Sequence, residues 1–205
     1  MAGADIPPTK TNLRKVKADL SFAYEGFELL DQKREILVIE IIKYVRMIKE
    51  TEKEFKRILD EFYKLYRTAA VDMGSPVLAL EAPWEKKRYS LTMDTVRFMG
   101  MRLPRLNIES GEAGLPQSLL ATAASYDMIK IAGERVVKVM VKYAMLTKTI
   151  YILSNELKKV QRRVNALEKV FIPRYEQTKK FISDRLEEME REEIFVKKLI
   201  EKRRL

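Results

Sequence analysis

Apolar side chains return at alternating three- and four-residue steps along two stretches, 11–70 and 117–205. With Leu13 as heptad position a, the a positions are Leu13, Leu20, Phe27, Arg34, Ile41, Ile48, Phe55, Phe62 and Ala69. The d positions are Val16, Ala23, Leu30, Leu37, Tyr44, Thr51, Ile58 and Leu65. Fifteen of these seventeen are apolar, against 46% of the whole chain, so the stripe is not a composition effect. In the second stretch Ile129, Val136, Tyr143, Ile150, Leu157, Val164 and Phe171 alternate with Ala132, Val139, Leu146, Leu153, Val160 and Leu167. All thirteen are apolar, which is the seam of a coiled coil.

The helix breakers agree with this pattern. Of seven glycines and seven prolines, eight fall between Gly74 and Pro116, and only Gly26, Gly133 and Pro173 interrupt the two stripes. Interior glycine costs a helix about 1 kcal/mol and proline about 3, so their exclusion marks both stretches as helices. At about 1.5 Å per residue they would run roughly 90 Å and 130 Å, lengths that need a partner helix. The predicted fold is mainly α: a long two-helix antiparallel coiled coil joined by a connector. Its parts are an extended tail over 1–10, a first helix over 11–70, a connector over 71–116 and a second helix over 117–205.

An antiparallel alignment follows from facing a layers with d layers. Leu20 opposite Leu167, Phe27 opposite Val160, Leu30 opposite Leu157 and Ile41 opposite Leu146 satisfy both seams and bring Ala70 to Gln117, with a seven-residue slip as the alternative. Arg34 then faces Leu153 and must snorkel outward. After Phe171 the apolar phase moves to Tyr175, Ile182, Leu186, Met189 and Val196, with Pro173 inside the step. Such a stutter unwinds the supercoil and predicts a single-helix overhang from about residue 175. Within the connector, Tyr89, Leu91 and Met93 alternate with Ser90, Thr92 and Asp94, which predicts a short hairpin over 88–103. Trp84 beside Pro83 is read as the connector's anchor.

One band of apolar residues lies off the seam. Ile36, Val38, Ile39, Ile42, Val45 and Met47 on the first helix fall level with Ile131, Val137, Met140, Val141, Ala144, Met145 and Ile152 on the second. A two-stranded coil leaves these positions wet, so the band predicts either a bound partner or the connector folded back over it. The interface residues this picks out are Ile36, Ile39, Ile42, Val45, Met47, Val137, Val141, Met145 and Ile152.

Charge and missing chemistry narrow the function. The chain of 205 residues carries a net +10, and its surplus sits between 117 and 180, densest at Lys158, Lys159, Arg162 and Arg163. Nucleic acid or an anionic membrane surface is one reading, and a basic coiled-coil scaffold of that kind is the alternative function. A solvated face that steers an acidic protein partner is the plainer one. Seam placement of Phe27, Phe55, Phe62, Tyr143 and Phe171 argues against base stacking. Cysteine and histidine are absent, which removes thiol nucleophiles, imidazole bases and thiolate or imidazole metal ligands. Gly111-Glu112-Ala113-Gly114 lacks the lysine of a phosphate loop. Glu187, Glu188, Glu190, Glu192 and Glu193 sit among Arg185, Arg191, Lys197 and Lys198, as ion-paired helix surface does. No catalytic, cofactor or metal site is predicted. The hydrophobic runs are too broken to span a membrane, and residues 1–10 lack an apolar signal core.

Two blocks carry a family resemblance. Pro8-Thr9-Lys10 with Leu13, Leu20, Ala23, Gly26, Leu29-Leu30, Lys33-Arg34 and Leu37 resembles the opening of the D subunit of archaeal and vacuolar-type rotary ATPases. Arg162-Arg163-Val164-Asn165-Ala166-Leu167-Glu168 with Ile172-Pro173, and Leu186 to Glu193 with Phe195 and Lys197-Lys198, resemble its C-terminal signature. The resemblance implies a non-catalytic rotor shaft that couples a ring of catalytic and non-catalytic subunits to proton or sodium flow in the membrane sector. Both termini would enter the ring, and Lys10, Arg14, Arg162, Arg163, Arg174, Arg185, Arg191, Lys197 and Lys198 would line its bearing. A small central-stalk subunit and a funnel-shaped adaptor to the membrane rotor would bind the lower shaft. The implied location is the cytoplasmic side of the cell membrane, peripheral and indirect, with no nucleic acid bound.

Overall fold

A computed structural model describes residues 6–74, 76, 89–110 and 124–204. Helix α1 spans Lys10–Met73, strands β1 and β2 span Tyr89–Phe98 and Met101–Ser110, and helix α2 spans Ala124–Ala166. A π-helical turn over Leu167–Phe171 leads directly into helix α3, Ile172–Arg204. The fold is mainly α with one two-stranded antiparallel hairpin. Trp84 and the 111–114 segment lie outside the described residues. The chain divides into two compact units, Met1–Val38 with Glu156–Leu205, and Ile39–Asn155.

Local chemistry sets the limits of α1. Thr9 is its N-cap: the Asn12 amide donates to Thr9 Oγ1 at 3.2 Å, and the Asn12 side chain donates to the Pro7 carbonyl at 2.8 Å. Gly74, at φ +83°, ends the helix by donating its amide to the Ala70 carbonyl, a left-handed cap that a side chain would strain. Between these ends, all seventeen a and d positions of α1 are buried or half-buried. The two polar ones are accommodated locally. Thr51 turns its hydroxyl back to the Met47 carbonyl at 2.9 Å, and Arg34 reaches Asp31 at 2.6 Å, one turn earlier. Thr149 and Thr178, also buried, bond the Met145 and Arg174 carbonyls in the same way.

In the first unit, Leu20, Ala23 and Ile172 form a buried cluster against which Phe27, Leu167 and Tyr175 pack. Tyr24 donates to Glu176, and Lys10 pairs with Glu190. As α1 numbers rise the partners' numbers fall, so the helices run antiparallel. Against the expected facing of Leu20 with Leu167 and of Phe27 with Val160, Tyr24–Glu176 and Lys10–Glu190 meet further along the second stretch, while Lys33–Glu156 stays close to it. In the second unit Phe55 stacks on Tyr143 at 6.2 Å between ring centroids, and Phe62 lies beside Gly133, where Ile41 was expected opposite Leu146. A slip of seven restores every apolar layer, so hydrophobic patterning is blind to it. Cysteines introduced at Phe27 and Leu167 should couple through a short bis-maleimide faster than the pair at Phe27 and Val160. Equal rates would restore the sequence-based alignment.

The predicted stutter takes the form of the π-turn. The Ile172 amide donates to the Leu167 carbonyl five residues back. Pro173 has no N–H to return to the Lys169 carbonyl and its ring crowds that group, so a wider turn just before it relieves the clash. The inserted residue moves the buried phase from Phe171 to Ile172, and it continues through Thr178 and Ile182. Burial therefore reaches beyond the expected boundary near 175, and it is from Glu187 to Lys202 that every residue is exposed. Met189 and Val196, expected on the continued stripe, are exposed as well.

Within the second unit, β1 and β2 pair from Tyr89 opposite Ser110 to Phe98 opposite Met101, a longer hairpin than the 88–103 span predicted. Its tip is Met99-Gly100, at φ 47° and 83°. Positive φ at both positions matches the twist of a tight hairpin, and only Met99 bears a steric cost there. Pro104, opposite Thr95, is tolerated because both strands of a two-stranded sheet are edges. The Leu106 amide points at Met145 Sδ on α2, 3.4 Å away, and Leu103 is buried.

Candidate docking and bearing surfaces

The nine cationic residues assigned to a bearing all belong to the first unit, and each is exposed. They separate by partner. Lys10 meets Glu190 at 2.8 Å, joining the start of α1 to α3. Arg185 pairs with Glu188, Arg191 with Glu187 and Lys197 with Glu193, all three or four residues apart on α3. Such exposed pairs contribute about 0–1 kcal/mol each. Arg14, Arg162, Arg163 and Lys198 make no ion pair among the described residues, and neither does Lys158. Among these, Lys158, Arg162 and Arg163 lie together on the last turns of α2.

The Lys10–Glu190 contact titrates with a definite sign. Its hydrogen bond and charge hold the Glu190 carboxyl below the usual carboxylate range and raise the Lys10 ammonium above its own. The tie is present between those limits, lost as pH falls through the lowered carboxyl, and lost again as pH rises through the raised ammonium. Protection of amides 10–16, taken against the intrinsic exchange rate at each pH, should fall in acid, and Glu190→Gln should reproduce that lowered protection at neutral pH and low salt. Exchange indifferent to both changes would show that the pair does not hold this end of α1. Tyr24, donating to Glu176 Oε1 at 2.6 Å, has its phenol raised by that bond.

The off-seam band is divided by the structure. On α1, Ile36, Ile39, Ile42 and Met47 are exposed and Val45 is half-buried. Ile39, Ile42 and Met47, with Lys43, Arg46 and Glu50, line an open groove of about 450 Å³ in the second unit. On α2, Val137, Val141, Met145 and Ile152 are half-buried, and Met145 lies at the hairpin through Leu106. The folded-back connector thus accounts for Met145, while the α1 groove stays open. A second apolar recess of about 550 Å³, formed by Tyr143, Ala144, Thr147, Lys148 and Tyr151, was only partly legible. Its one signal is the Lys148–Tyr151 spacing, which places the ammonium 5.3 Å from the ring centroid.

Among the described residues no cluster of three or more acidic, histidine or cysteine side chains could hold a metal, and no helix is long and apolar enough to cross a membrane. What remains chemically available is open helical surface, with exposed apolar and cationic side chains on both units, the make-up of a subunit that binds other chains. The model of the family described as the D subunit of ATP synthase matches residues 12–202. The V-type ATP synthase D subunit of Thermotoga neapolitana is 31% identical over 198 residues, covering 96% of this chain and 98% of the relative. The A-type ATP synthase D subunits of Pyrococcus horikoshii and Thermococcus kodakarensis are each 32% identical, covering 97% of this chain and 96% of each relative. The chain is thus a component of an A/V-type rotary ATPase. It belongs to the ATP synthase D-subunit family.

Proposed function

We propose that this subunit is the central rotor shaft, carrying torque between the catalytic ring and the ion-translocating rotor of the membrane sector. The observation that carries this reading is the antiparallel seam of both units, in which Leu37, Leu146, Leu153, Val160, Val164 and Ile182 are all but fully buried. Each such side chain contributes about 1.5–3 kcal/mol, and close-packed layers resist shear between paired helices. The bearing is assigned to Lys10, Arg14, Arg162, Arg163, Arg174, Arg185, Arg191, Lys197 and Lys198, whose short-range surface pairs can be exchanged as the shaft turns. A small central-stalk subunit is assigned to the band of Ile36, Ile39, Ile42, Val45, Met47, Val137, Val141, Met145 and Ile152. A funnel-shaped adaptor links the shaft to the membrane rotor, which passes protons or sodium ions. The subunit then works at the cytoplasmic side of the membrane, peripherally, without catalysing hydrolysis itself.

Affinity capture of the tagged chain from native membranes tests this. Ring subunits, a small stalk subunit and the membrane sector should come down together, with one copy of this chain against several catalytic subunits. Recovery with nucleic acid or bare lipid in place of the ring would overturn it.

A further inference from the structure

The π-turn presents an arrangement that its role in helix phasing does not explain. Val164 is 1% exposed, and the next a position seven residues on is Phe171, yet Phe171 is 44% exposed and Ile172 takes its place in the core. A continuous α-helix would carry the buried stripe through Phe171, Arg174, Phe181 and Arg185 and so sink two guanidinium groups. The extra residue instead buries Ile172 and Ile182 and keeps both arginines in water. That accounts for the turn but not for its outward side chains. Water-facing positions on a bulge suit lysine or glutamate, whereas here Val170 and Phe171 stand adjacent and exposed, at 56% and 44%.

The surrounding charge indicates what meets them. From 157 to 175 the chain carries Lys158, Lys159, Arg162, Arg163, Lys169 and Arg174 against Glu168 alone. Lys158, Arg162, Arg163 and Lys169 form no ion pair among the described residues. We propose that the π-turn is a preformed docking point, and that Val170 and Phe171 enter an apolar recess in an acidic protein surface, the catalytic-ring subunits, and leave it again as the shaft turns. The assignment of the partner rests on the rotor reading above. Pro173 keeps the turn open before the partner arrives, so binding loses little to ordering. π-Bulges recur at functional sites, and this one turns outward a Phe171 that a regular helix would bury.

The absence of native cysteine makes the test direct. The full chain carrying Val170→Cys is labelled with benzophenone maleimide, assembled into the complete complex and irradiated. The expected adduct lies on a ring subunit, in a segment rich in Asp and Glu. Adducts confined to lipid, nucleic acid or the chain itself, or no adduct at all, overturn the proposal. Independently, Val170→Ser combined with Phe171→Ser should weaken ring binding at least tenfold with helix content unchanged, and unchanged affinity overturns it. Failure of the wild-type chain to recover the ring defeats the rotor reading itself, whereas recovery without the adduct defeats only the docking point.

Discussion

Leu146→Asp should destabilise the chain more than almost any surface change, by about 4 kcal/mol or more. Leu146 is 1% exposed, a d position of the α2 seam in the second unit. Truncating such a leucine removes contacts worth about 2–5 kcal/mol, and a carboxylate in its place must also be stripped of water. Ile131→Asp is the matched control, since Ile131 is 54% exposed on the same helix and its replacement should cost within about 0.5 kcal/mol. Urea titration followed by helical circular dichroism compares them. If the two variants unfold together, the seam is not what holds the helices.

Ile42→Glu should have the opposite signature, leaving the fold intact and abolishing a contact. Ile42 is 47% exposed and sits between Ile39 and Met47 in the open groove of α1, where glutamate is readily hydrated. With the small central-stalk subunit as occupant, a buried charge at the centre of the contact should cost at least about 3 kcal/mol, more than a hundredfold in affinity. Titration calorimetry with the purified stalk subunit reads the loss directly. Ile152→Glu should act in the same direction. Met145→Glu is less clean, because Met145 also receives the Leu106 amide and its loss frees the hairpin. Retained affinity in Ile42→Glu would place the stalk partner elsewhere.

The sites differ in how far they could be read from residues alone. The cations at 158–163 and the glutamates at 187–193 are exposed where helical spacing puts them, because long charged side chains have one comfortable place to go. The apolar band could not be resolved in advance. Ile42 and Met145 are equally apolar and equally off-seam, and only the fold of the connector separates an open groove from a half-covered helix. The hairpin tip was hidden for another reason: Met99-Gly100 gives no turn signal, and Met99 takes a positive φ because the paired strands on either side impose it. Phe171 was read as a seam residue because its exposure comes from a turn type that periodicity does not encode.

What the order of residues determined was the number of long helices, their apolar stripe and their family, since heptad spacing, excluded breakers and two signature blocks are all local features. Tertiary structure decided the rest: which heptad faces which, where Phe171 yields to Ile172, and which apolar residues stay uncovered. The reason is one of degeneracy. A seven-residue repeat looks the same to itself after every seven residues, so the choice among alignments falls to the few places where the repeat is broken: Pro173, the π-turn and the hairpin.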